Sequence, residues 1–85
     1  MKAWEIEKAV MDLEEVRIVI RAGQNASLGD YEYGRKAAGT ASVSEWLQQR
    51  IFPILNGSEV TVIDGTGAVP HGRTRMDTLR DTYAR

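Results

Sequence analysis

The residues best suited to chemistry lie in the last third of the chain. Glu59-Val-Thr-Val-Ile-Asp-Gly reads as a strand running into a glycine turn, and Pro70-His-Gly leads on to a C-terminal helix. His71 is the only histidine, and an ordinary imidazole pKa of about 6.5 suits proton transfer near neutral pH. Asp64, at the end of the strand, could orient it. A catalytic constellation also needs a nucleophile within mutual reach. None is implied, because the serines at 27, 42, 44 and 58 fall in turn or cap positions and outside any Gly-x-Ser-x-Gly elbow. Asp64 and His71 are therefore polar-site candidates with turn structure as the simpler account, and the expectation is a protein that is not an enzyme. Gly65-Thr-Gly67 offers amides to an anion, but the Gly-x-Gly-x-x-Gly and Gly-Lys-Ser/Thr patterns are missing. No cofactor is expected. The chain has no cysteine, so it has neither a disulfide framework nor a thiolate metal site, and no metal site is expected.

Two basic groupings suggest phosphate contact. Arg73, Arg75 and Arg80 belong to the C-terminal segment, where planar guanidinium groups could grip a nucleic-acid backbone. Tyr31 and Tyr33 are followed directly by Arg35 and Lys36, and aromatic faces beside cations are what single strands stack on. Local pairing of Asp77 with Arg80 and of Asp81 with Arg85 would neutralise much of the C-terminal charge. Packing of Tyr31 and Tyr33 against a core competes with stacking. Nucleic-acid binding is the alternative reading.

The leading reading is protein binding. Ile6, Ala9, Val10 and Leu13 occupy one helical face, and Trp4 and Met11, seven residues apart, add a second apolar stripe beside it. So wide a stripe needs cover from a sheet, a protein partner or a second copy of the chain. Arg17 and Arg21 flank Val19 on one strand face, a composition common at interfaces. Trp4, Met11, Arg17 and Arg21 are the candidate partner-binding residues, and a homodimer is one form the partnership could take.

The elements that must position these residues follow from periodicity. Residues 3–13 read as a helix, and Val16 to Ala22 alternates as a strand with Val16, Ile18, Ile20 and Ala22 on its buried face. Residues 23–41 read as a glycine-rich connection in which Tyr31-Glu-Tyr33 could form a short strand. Ser42-Val-Ser-Glu45 matches a capping box and opens a second helix carrying Val43, Leu47, Ile51 and Leu55, which Pro53 should bend or end. Glu59 to Asp64 is the next strand, Ala68-Val69 a possible return strand, and Thr74-Arg-Met-Asp77 a cap-like start to a third helix. Together these predict a small two-layer α+β domain spanning residues 1–85. About three helices would pack on a short sheet of two to four strands, in the order α-β-(β)-α-β-(β)-α.

Composition sets the outer bounds. Eighty-five residues with 42% hydrophobic and 27% charged content describe a folded chain with a thin core. Net charge is −1, with four basic and two acidic residues over 71–85; a dedicated nucleic-acid domain is more strongly basic. The longest apolar run, Ile51 to Leu55, is far short of the about 20 residues a membrane span needs. The charged start and the absence of cysteine point to the cytoplasm, and no membrane association is expected.

Overall fold

The computed structural model describes residues 1–83. Helix α1 (Ala3–Glu14) and strand β1 (Arg17–Arg21) come first. Helix α2 (Val43–Trp46) widens into a π turn (Leu47–Ile51) and tightens into a 3₁₀ turn (Phe52–Ile54). Strand β2 (Glu59–Ile63) and helix α3 (Met76–Asp81) follow. Among the described residues this is a small α+β fold, with three helices and one two-stranded antiparallel sheet. Its radius of gyration, 12.0 Å, is what a compact unit of this length should show, about 12 Å.

β1 and β2 pair from Arg17 opposite Ile63 to Arg21 opposite Glu59. Period-two alternation sends Ile18, Ile20 and Val62 to the buried side. On the other side lie Arg17, Val19, Arg21, Glu59, Thr61 and Ile63. Two strands alone make a marginal sheet, and neighbouring elements complete this one. The Tyr83 hydroxyl bridges the terminal pair, accepting from the Arg17 N–H at 3.0 Å and donating to the Ile63 carbonyl. Glu7 of α1 accepts from the Ile20 N–H at 2.8 Å.

The expected capping box is present: Ser42 Oγ accepts from the Glu45 N–H, and Glu45 Oε1 accepts from the Ser42 N–H. The Ser42 amide holds the Glu45 carboxyl below the usual carboxylate range. Val43, Ile51 and Leu55 are buried with Trp46. A strict four-residue repeat drifts by about 40° per step on an α-helix, and the wider π turn keeps these residues facing inward. Pro53 then stands in the closing 3₁₀ turn, as its missing N–H requires.

Three expectations are corrected. Tyr31-Glu-Tyr33 is not a strand: its backbone joins no ladder, and the Tyr31 N–H donates to the Met1 sulfur. Ala68-Val69 forms no return strand. Asp64 gathers that loop instead, with its carboxylate accepting from Thr66 N–H, Thr66 Oγ1 and Ala68 N–H. α3 begins at Met76, not Thr74, since Thr74 N–H and its carbonyl are engaged by His71 and Val43, and Ser42 and Arg75 form a β-bridge.

Candidate functional site

The most developed polar site is internal, and the sequence reading did not name its centre. Glu14 ends α1 and is fully buried. Its Oε2 accepts from the Tyr31 hydroxyl, from Arg50 NH1 at 2.8 Å and from the Trp46 indole N–H at 3.3 Å. Its Oε1 accepts from the Ala37 N–H at 2.8 Å and from Arg80 NH2 at 2.9 Å. Arg80 also donates to the Glu14 and Ala37 carbonyls, at 2.8 and 3.0 Å. One carboxylate therefore joins α1, the 31–37 segment, α2 with its π turn, and α3.

The chemistry of this arrangement is structural. A buried carboxylate is tolerable when its lone pairs are filled by charged and neutral donors. Two guanidinium groups and one carboxylate leave one positive charge in the cluster. Arg50 carries it outward, with its guanidinium 4.2 Å from the centre of the Tyr33 ring. Every buried side-chain nitrogen and oxygen among the described residues has a partner. Burial first, and then the hydrogen bond to Glu14, pushes the Tyr31 phenol far above the ordinary tyrosine range. The folded state keeps this proton where the unfolded chain, near pH 10, gives it up. The contribution of this group to stability should thus be constant below about pH 10 and fall above it, by up to about 1.4 kcal/mol per pH unit. Denaturant melts from pH 8 upward should show the decline, and Tyr31→Phe should reduce it, leaving the part due to the Tyr83 phenol, which burial also pushes up. An equal slope in the variant would assign the effect elsewhere.

This placement divides the nucleic-acid candidates. Tyr31 and Arg80 face the interior and are not available to a polymer. Tyr33 sits edge-on to Tyr31 under Arg50, with ring centroids 4.8 Å apart. Lys36 pairs with Glu15 at 2.7 Å, and Arg75 with Asp77 at 2.9 Å. Arg35 and Arg73 are exposed. The expected Asp77–Arg80 pair is replaced by Asp77–Arg75, while Asp81–Arg85 lies outside the described residues.

The polar-site candidates each make local contacts. Asp64 is spent on its own loop, and the Thr66 hydroxyl holds its carboxyl below the usual range. His71 is exposed, and its Nδ1 accepts from the Arg73 N–H two residues on, at 3.0 Å. Each hydrogen-bonds within its own turn. Among the described residues, no three His, Cys, Asp or Glu side chains are grouped to hold a metal ion, and no helix is long and apolar enough to cross a membrane.

The partner-binding candidates fall on two surfaces. Arg17 and Arg21 are exposed on the sheet, where Arg21 donates to Thr61 Oγ1 at 2.5 Å instead of pairing with the opposing Glu59. Trp4 and Met11 lie on the outer side of α1, 61% and 42% exposed. Ile6, Val10 and Glu14 fill the inner side. Comparison with family models, with curated proteins and with solved structures returned no match. The functional reading therefore rests on these surfaces. Glu14 did leave a trace in the sequence: it stands four residues after Val10 and eight after Ile6. It thus extends the core-facing stripe of α1 with a charge.

Proposed function

We propose that this chain is a non-enzymatic protein-interaction module whose docking face is the outer side of α1. The observation that carries the reading is Trp4. A tryptophan presents some 150–250 Å² for burial, yet this one stands 61% exposed beside Met11. The core does not need it. Trp46 fills the interior at 1% exposure, with its indole N–H satisfied by Tyr31 and Glu14. Exposed tryptophans flanked by polar residues mark contact sites, because partner burial recovers their apolar area and tryptophan dominates interface energetics. A cysteine-free chain suits a reducing compartment, and action in the cytoplasm is part of the proposal.

A photo-activatable amino acid placed at position 4, and at the equally exposed Val69 as a control, tests the docking face. Irradiation in the source cells should give an adduct of defined mass from position 4 and not from position 69. Adducts from both positions alike, or from neither, would remove the reading.

A further inference from the structure

The outer face of α1 carries a charge pattern that selects its own copy. At about 100° per residue, Trp4 and Met11 lie about 20° apart around the helix, and their midline has Glu7 about 50° to one side and Lys8 about 50° to the other. An acid and a base thus flank one apolar stripe at the same height. Two copies of such a stripe can meet in two symmetric ways. In an antiparallel pair the two-fold axis runs across both helices and brings like flanks together, setting Glu7 beside Glu7 and Lys8 beside Lys8. In a parallel pair the axis runs along the helices and brings unlike flanks together. Trp4 then meets Trp4, Met11 meets Met11, and two Glu7–Lys8 pairs close the sides.

From this we infer that α1 is a homodimerisation helix that pairs in parallel with a second copy of this chain, an inference that rests on the docking face proposed above. The flanking charges are placed to serve it. Glu7 is held by the Ile20 N–H through Oε2 alone, which leaves Oε1 to accept from the partner. Lys8 reaches Asp12 in a pair whose side chains are 69% and 64% exposed; a contact so wet is weak and readily shared. Twelve residues give a helix about 18 Å long, short of what a standard-sized interface requires. The dimer is accordingly weak and concentration-dependent.

Sedimentation over about a hundredfold range of protein concentration tests the inference. The expected result is a reversible monomer–dimer equilibrium that Trp4→Ala and Lys8→Glu each weaken by at least about tenfold. Because the chain has no cysteine, Met11→Cys reports the orientation directly. Parallel pairing brings the two position-11 thiols together and gives a disulfide-linked dimer on mild oxidation. A monomer at every concentration, a dimer indifferent to Lys8→Glu, or a cross-link that forms only between one copy with cysteine at position 4 and another with cysteine at 11 would each overturn it. A monomer that still gives a position-4 photo-adduct with a different protein would end self-pairing and leave the docking face standing.

Discussion

Replacing Glu14 with glutamine should destabilise the protein by about 3–5 kcal/mol, the usual cost of removing one partner from a buried ion pair. Glutamine keeps the shape but loses the charge, and it puts an amide donor where the carboxylate accepted. Whichever way the amide turns, it points at donors: Ala37 N–H and Arg80 on one side, Tyr31, Trp46 and Arg50 on the other. The Arg80 guanidinium, with its side chain only 8% exposed, then stays buried beside a neutral group in place of the Glu14 charge. Domains of this size have a total stability of about 4–13 kcal/mol, so the loss is a large share of the whole, and urea melts should show a midpoint lowered by molar amounts. The companion variant Glu14→Leu/Arg50→Met/Arg80→Met should recover much of the loss, because all three charges of the cluster are removed together. Its deficits are the Ala37 peptide and the residue-14 carbonyl, which lose their partners, and the Tyr31 hydroxyl, which still accepts from Trp46 but loses its acceptor. A Glu14→Gln midpoint within about 1 kcal/mol of the parent would show that the cluster is not what joins these elements.

What was legible in the sequence was local. The alternation of Arg17 to Arg21, the Ile6/Val10 stripe of α1 and the Ser42/Glu45 box each depend on residues within a few positions of one another, and each appears in the structure where the spacing puts it. The internal site depends on contacts 15 to 66 residues apart, which no local period encodes. The spacing of Glu14 from Ile6 and Val10 places it on the inner stripe of α1, but nothing local names its partners, and Arg80 reads as part of a basic surface; only the tertiary fold brings the two together. Tyr31 reads in the sequence as core or edge packing ahead of a stacking platform, and in the structure it is buried, with its hydroxyl bonded to a carboxylate 17 residues away. The two tryptophans were separable from position alone. Trp46 follows a capping box into an apolar repeat and is buried; Trp4 sits beside the apolar stripe of α1 and is exposed. Asp64 and His71 each hydrogen-bond backbone within four residues, the local contacts that Asp-Gly and Pro-His-Gly turns invite.

Gly65→Ala should be strongly destabilising, although one added methyl on an exposed turn is ordinarily mild. A Cβ at position 65 would lie 1.7 Å from the Thr82 carbonyl oxygen and 2.8 Å from the Tyr83 Cα. Those are backbone atoms, which cannot rotate aside as a side-chain tip would. The same approach is held by the Gly65 N–H, which donates to Thr82 Oγ1 at 2.8 Å, while Thr82 Oγ1 donates to the Leu79 carbonyl. The turn after β2 is thus the seat on which the C-terminal end of α3 rests. Pushing that end away would also pull the Tyr83 hydroxyl from its bridge between Arg17 and Ile63, so strain at the turn reaches the end of the sheet. Forced overpacking costs about 1–3 kcal/mol where neighbours can adjust, and the backbone contact here places Gly65→Ala at or above the upper end. Gly67→Ala, in the same turn, separates the two possible causes. Its φ of +88° makes alanine strained, but no atom lies within 4 Å of the added Cβ, so its cost is the conformational term alone, about 1–2 kcal/mol. Amide exchange should show Gly65→Ala loosening α3 and the Arg17 end of β1 together, with Gly67→Ala confined to the turn. Equal effects of the two substitutions on α3 would mean that the close approach at Gly65 does not hold the helix in place.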